Sequence, residues 1–483
     1  MSDADAVKID TECGTVIGVR EGKVLAFYGL RYAEPPVGQA GRFRPPRPLR
    51  AWEGEFRADA YGPTAQQPAE LPYNPRRSED CLTLNVWTGG TDHPHRPVLL
   101  YIHGGGFATG SGSNPLFHGG AFAEHDELVV VTINYRLGAF GFLDVSGWLG
   151  EAYASSGNCG LLDVIEALRW LQRNIGRFGG DPSRVTIMGQ SAGAKCVAAL
   201  LCSPLADGLF AHAIAQSGAI QSIRDRETAA LLTEQYMAEL GVPPQEANRV
   251  LELPPSDFMA AQRRWCNDFR SVHQFGPVKD GVVLPEGHLT IRGSRPLLIG
   301  TNRNEIGGFL ANDAELRQPS EAYVFRMFGK NAAIVREAYE RRSGGSFDRP
   351  VDVAVWEATL TDYLYRYACI RTADAAATVG ADVWMYRFDL AGPHGAAHGN
   401  ELAYLWKRGG PHADAELAER MRRAWVSFIR DGSPRSAMPE WPRYEVEAGR
   451  RAFLKLDRSC ASVLVDDEPE AAQFPLQALQ FQR

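Results

Sequence analysis

Residues 184–201, RVTIMGQSAGAKCVAALL, join an apolar, β-branched run to an alanine-rich one through Gly189, Gln190, Ser191, Ala192 and Gly193. The first run reads as a buried strand and the second as a helix, so the serine falls on the joint. A sharp strand-to-helix turn pushes a serine hydroxyl out above a sheet, in a backbone conformation that larger neighbours would obstruct. Gly189 and Gly193 leave that space. The first N–H groups of the helix face the serine and can stabilise negative charge there. Ser191 is therefore a candidate nucleophile.

A serine hydroxyl attacks only when a base removes its proton, and the oxyanion that forms needs donors already in place. The run HGGGF, residues 103–107, follows the apolar stretch RPVLLYI. The N–H groups of Gly105 and Gly106, with that of Ala192, would complete an oxyanion hole. On such a topology the acid and the histidine follow the nucleophile in chain order, which removes five of the eleven histidines. PLLIGTNRNEIGGF reads as strand then loop and brings Glu305 to the carboxyl edge of a sheet. Beyond it stand His394, His398 and His412, the first two in GPHGAAHGNELAYLW after the strand-like VWMYRFDL. His398, beside Gly399 and ahead of an apolar run, is the better placed; spacing alone leaves His394 open.

Around these motifs, short apolar runs alternate with helix-like segments, the pattern of a mainly parallel sheet covered by helices. Leu161, Ile165, Leu168, Leu171 and Ile175 recur at helical spacing before Gly179 and Gly180, predicting a crossover helix between two strands. Residues 225–270 and 316–377 are helix-like and rich in Glu, Arg and Ala. They read as cap insertions on one continuous unit spanning 1–483, since nothing resembles a flexible linker.

At 45% hydrophobic and 23% charged, the 483-residue chain has the composition of a soluble globular protein with a large core. Its formal charge of -7, without a dense Lys/Arg run, argues against nucleic acid as a partner. The start, MSDADAVKIDTECG, has no basic segment leading into an apolar one, so no secretory signal is expected. No apolar run approaches the roughly 18 to 20 residues that span a bilayer. The eight cysteines form no CxxC pair, which argues against a zinc ribbon or a dithiol motif and predicts free thiols in the cytoplasm.

The ordered motifs FYGLRYAEPPVGQAGRFRPP, SEDCLTLNVW, HGGGFATGS, INYRLGAFGFL, MGQSAGA, GTNRNEIGGF, HGNEL and AWVSFIRDGSP cover nearly the whole chain. Together they resemble the type B carboxylesterases, the α/β-hydrolase family that includes the cholinesterases and the bacterial para-nitrobenzyl esterases. The resemblance implies an α/β-hydrolase fold and a monomeric serine carboxylesterase. Such an enzyme cleaves small alkyl or aryl esters through an acyl-enzyme, without metal or organic cofactor. It makes Ser191 the nucleophile, Glu305 the acid and His398, rather than His394, the base. Gly105, Gly106 and Ala192 become the oxyanion donors.

Four departures from the family pattern carry expectations of their own. Thr64 stands where secreted members have the disulfide partner of Cys81, so Cys81 should be a free thiol. Gln190 replaces the usual Glu, keeping size and losing charge. Tyr73, in a shorter loop, stands in place of the cholinesterase tryptophan, which disfavours choline esters because Trp is the best cation–π partner. Lys195 replaces a small or apolar residue; it reads as a charge reaching solvent or a buried acid, or as a group that binds an acidic acyl moiety. Phe107, Trp265, Phe275 and Phe309 lie near the motif loops or in the cap and would give an apolar pocket lining. Hydrolysis of an amide, carbamate or lactone would use the same residues. A non-catalytic binding protein on this scaffold would have a broken triad, whereas here every position is filled.

Overall fold

Apolar runs buried on both faces become the central strands, and the computed structural model describes them within residues 6–92, 95–265, 274–347, 350–407, 414–446 and 451–464. The N-terminal strands are β1 (Ala6–Asp10), β2 (Thr15–Glu21), β3 (Val24–Arg31) and β4 (Glu55–Arg57). β5 (Thr64–Ala65) and β6 (Arg77–Ser78) pair as a separate small sheet. Next come β7 (Thr83–Thr88), β8 (Arg96–Ile102), β9 (Val129–Ile133), β10 (Gly180–Gln190) and β11 (His212–Gln216). The last are β12 (Leu297–Asn302), β13 (Val383–Phe388), β14 (Ala452–Leu456) and β15 (Ser462–Leu464).

The main sheet runs β1-β2-β3-β7-β9-β8-β10-β11-β12-β13-β14-β15, with β4 beside β2. Pairing is parallel from β9 through β14 and antiparallel along β1, β2, β3, β7 and β9, as it is between β14 and β15. From β8 the chain steps to one side for β9, returns past β8 to form β10, and then continues away through β11 to β14. Strand order therefore reverses between β8 and β10, and the loops leaving their carboxyl ends meet at the crevice where open α/β sheets bind ligands. Those loops are the glycine run and Ser191.

Alternation along β8 shows why both faces need cover. Val98, Leu100 and Ile102 enter one core, while Leu99 and Tyr101 enter the other. The predicted crossover helix is Cys159–Asn174, extended by a tighter turn that stops at Gly179 in the left-handed conformation, φ +82°. Arg136, in the loop after β9, forks onto Asp163 of this helix at 2.6 and 2.8 Å, both side chains buried. Such a pair resists separation, because losing either partner strands a charge away from water.

The first of the two helix-like stretches contains Arg226–Glu239, a 3-10 stretch Pro244–Leu251 and Pro255–Trp265; residues 266–270 lie outside the described residues. The second contains Glu321–Phe328, Ala332–Ser343 and Val353–Thr361, a π turn Asp362–Arg366, and Tyr367–Thr378. That last helix packs on β12 and β13, so it covers the sheet directly. Cys81 and the other six described cysteines are free and buried; Cys266 lies outside the described residues. Among the described residues no helix is long and apolar enough to cross a membrane, and no group of three metal-binding side chains gathers.

Candidate active site

At the end of β10 the chain turns so sharply that Ser191 adopts φ +57°, ψ -120°, before the helix Ala192–Cys202 begins. A non-glycine residue in that region costs about 1–3 kcal/mol and persists only where its surroundings enforce it. The flanking glycines show the constraint. A Cβ on Gly193 would lie 2.0 Å from the Ile102 carbonyl oxygen, and one on Gly189 would lie 2.3 Å from Gly193. The Ser191 N–H donates to the Gln216 carbonyl at 2.8 Å, tying the turn to the end of β11.

The glycine run abuts the serine, since a Cβ on Gly104 would sit 3.1 Å from Ser191 Cβ. Gly105 and Gly106 have φ of +111° and +62°, and the Gly105 carbonyl accepts the N–H groups of Ala108 and Thr109 at 3.0 Å each. Among the described residues, the N–H groups of Gly105, Gly106 and Ala192 donate to nothing. Three unengaged donors on two abutting backbone segments are what an oxyanion hole is made of.

His103 anchors this run: its Nδ1 lies 2.8 Å from the Gly104 carbonyl, its ring stacks on Tyr135, and Tyr135 Oη donates to its carbonyl at 2.8 Å. Burial, opposed by the Gly104 contact, pulls its pKa down to about 4. The unfolded chain, with an ordinary imidazole, therefore binds more protons between about pH 6.5 and 4. The contribution of His103 to stability is fully present above that window and lost as pH falls through it, by about 3 kcal/mol in all. Melting temperatures measured from pH 7 to 4.5 should fall less steeply in His103→Gln than in wild type; equal slopes would exclude this titration.

His398 Nδ1 stands 2.6 Å from Glu305 Oε2. Glu305 is fully buried and its Oε1 accepts the Asn302 N–H at 2.7 Å, while the His398 side chain keeps 14% exposure. The loops that carry them are stitched together by a bridge between Asn304 and Ala397, and by Asn302 Nδ2 donating to the Ala397 carbonyl at 2.6 Å. His394 is exposed on the same loop, so the structure brings His398 and not His394 to Glu305. With its Nδ1 proton directed at the carboxylate, His398 presents a lone pair on Nε2. The Gln190 amide nitrogen lies 3.2 Å from that atom. Ser191 Oγ has no hydrogen bond among the described residues, and such bonds commonly form only when substrate is bound.

Beneath the pair, Glu401 is a second buried carboxylate, bonded by Asn302 Nδ2 at 2.7 Å and Gln216 Nε2 at 3.4 Å. Burial, then the charge of Glu305, pushes its pKa up to about 7.

The expected pocket residues divide. The Phe309 ring lies 5.7 Å from His398. Phe107, at φ +60°, packs its buried ring on Phe142. Trp265 and Phe275 meet edge-on and both pack against Tyr236 of the helix Arg226–Glu239. Lys195 does not reach solvent: it is buried with its helix, and burial, then the charge of Arg224, pulls its ammonium down to about 7. Sequence reasoning missed Asn302, Glu401, the contact of Gln190 with His398, and Tyr365, whose ring lies 5.0 Å from His398.

The profile of the carboxylesterase family matches residues 5–474. The chain belongs to the carboxylesterase family. It is 36% identical over 493 residues to the para-nitrobenzyl esterase of Bacillus subtilis, covering 96% of each chain. It is 34% identical over 478 residues to a phenmedipham hydrolase of Pseudarthrobacter oxydans, covering 90% of this chain and 92% of that one. The crystal structure of a Geobacillus stearothermophilus carboxylesterase superposes with a TM-score of 0.83 at 36% identity, covering 97% of this carboxylesterase and all of the other. The fold is thus that of the α/β-hydrolases, and the enzyme hydrolyses carboxylic esters.

Proposed function

We propose that Ser191, His398 and Glu305 are the nucleophile, base and acid of this ester hydrolysis, with Gly105, Gly106 and Ala192 donating to the oxyanion. The observation that carries the assignment is the 2.6 Å bond between His398 Nδ1 and Glu305, on loops beside the strained Ser191 turn. Ser191 Oγ attacks the ester carbonyl while His398 Nε2 takes its proton, and Glu305 stabilises the imidazolium. The C–O bond to the alcohol breaks as His398 returns the proton to the leaving oxygen. Water, deprotonated by His398, then attacks the acyl carbon; the bond to Ser191 Oγ breaks, His398 returns the proton to that oxygen, and the acid leaves. Gln190 must give up Nε2 as the serine proton arrives.

The substrates proposed are small alkyl and aryl esters, in keeping with the rings of Phe309 and Tyr365 against His398. The proposal extends to a monomer in the cytoplasm, supported by seven unpaired described thiols. A panel of p-nitrophenyl esters of increasing acyl length tests it: measurable kcat/KM on short and medium chains is expected, with one organophosphate label per chain, on Ser191. Labelling at any other residue would sink the assignment. Phenmedipham belongs on the panel because of the resemblance to its hydrolase. Acidic esters test Lys195 as an acyl-binding group, and equal kcat/KM for wild type and Lys195→Ala would remove that role.

A further inference from the structure

We propose that Tyr365 is a positioning residue for His398, presented to the imidazole by the π turn Asp362–Arg366 and held there by bonds to the loops on either side. The helix beginning at Val353 passes through this turn and continues to Thr378 with helical backbone throughout. A π turn holds one residue more than an α turn, so the side chains beyond it shift in phase by about 100°. Such turns are rare and frequently lie at functional sites. Here the turn lies against the proposed base.

Tyr365 is buried, and its ring centroid is 5.0 Å from that of His398 with the planes inclined at 48°. Phe309, from the short helix Gly307–Asn312 that follows Glu305, packs on the same imidazole at 5.7 Å and 45°. Glu305 holds Nδ1 and Gln190 reaches Nε2, but Gln190 must withdraw when the serine proton arrives, and the Glu305 bond alone then leaves the imidazole free to pivot. Two rings from separate elements restrict the pivot and so set the direction of Nε2. A base aimed in advance avoids the rotational cost at the moment of proton transfer.

The turn is anchored on both sides of the site. Asp362, buried, pairs with Arg366 within the turn and with Arg342 at 2.8 Å. Arg366 Nη2 donates to the Arg303 carbonyl at 3.2 Å, two residues before Glu305. On the far side, the Leu364 carbonyl accepts Gln221 Nε2 at 3.2 Å, and Gln221 Oε1 accepts the Ala219 N–H at 2.7 Å, just past β11. The turn that bears Tyr365 is thereby bonded to the acid loop and to the segment that supports Ser191.

The proposal rests on His398 being the base, and the test separates the two. His398→Ala, Tyr365→Phe and Tyr365→Leu are assayed on p-nitrophenyl acetate for kcat and KM separately, and by proton NMR for the low-field Nδ1–H resonance of the His398–Glu305 bond. Tyr365→Phe keeps the ring and should stay within about threefold of wild type. Tyr365→Leu should lose kcat on the order of 100-fold, the cost of a misplaced group, with KM changed less than threefold and the resonance broadened. Tyr365→Met carries the same expectation should the leucine variant not fold. A Leu or Met variant with kcat within threefold of wild type, or a loss confined to KM, overturns the proposal. Retained activity in His398→Ala overturns the underlying assignment instead.

Discussion

Replacing Ser191 by alanine is expected to lower kcat/KM for p-nitrophenyl esters by about 10⁴- to 10⁶-fold, while leaving the protein folded. The loss is large because no second group supplies the attacking atom. What remains is the oxyanion donors and substrate binding, which alone retain only a small part of the acceleration. Folding should be spared for a structural reason: Ser191 Oγ makes no hydrogen bond among the described residues, so alanine strands no partner. The strained φ of +57° is imposed by the packing of Gly193 on Ile102 and is unchanged by the substitution. Steady-state kinetics, with an organophosphate titration to exclude wild-type contamination, reads the effect directly. A variant within tenfold of wild type would show that another residue is the nucleophile.

How this site could be read before its geometry was known depends on the range of the forces involved. The Ser191 turn was legible because its glycines answer contacts made at the turn itself, between the start of the helix and the end of β8. The strands were legible because burial on both faces leaves uninterrupted apolar runs such as Val129–Ile133. Local spacing could not choose between His394 and His398, because that choice is made by a bridge between Asn304 and Ala397, far apart in the chain and in irregular backbone. There the resemblance to the carboxylesterases supplied what periodicity does not carry.

Other features left no signal in the pattern. The Gln190–His398 contact joins residues 208 positions apart, and nothing near Gln190 announces it. Residues 316–377 read as uniformly helical, with nothing in their composition to mark the π turn at Asp362–Arg366, so Tyr365 read as ordinary helix. Lys195 is the instructive intermediate case. Its charge suggested solvent as one destination, yet every position of Ala192–Cys202 is buried, in a helix whose other residues are Ala, Gly, Cys, Val and Leu. A single charge says less about burial than the ten residues around it.

Glu305→Gln should lower kcat by about 10⁴-fold with little change in KM, although it removes one charge and almost no volume. The mechanism is tautomeric. Glu305 receives the Nδ1 proton of His398 and so keeps the lone pair on Nε2, where the serine proton must go. A glutamine that turns its NH₂ toward Nδ1 forces the proton onto Nε2, and one that turns its oxygen still cannot neutralise the imidazolium. Asn302 favours the harmful orientation, since its N–H already claims an oxygen at the Oε1 position. Glu401 cannot substitute, for it is bonded to Asn302 and Gln216. It does report the change. With its pKa raised to about 7, folded Glu401 holds a proton that the unfolded chain releases near pH 4.5, so the contribution of this group to stability falls as pH rises through that window, opposite in sign to that of His103. Burial is the first cause of that shift and the charge of Glu305 the second, so Glu305→Gln should soften the fall without abolishing it. Urea denaturation at pH 5 and pH 8 measures this beside the kinetics. A variant that loses activity with an unaltered pH dependence of stability would separate the two buried carboxylates, and one that keeps kcat within tenfold would remove Glu305 from the proposed triad.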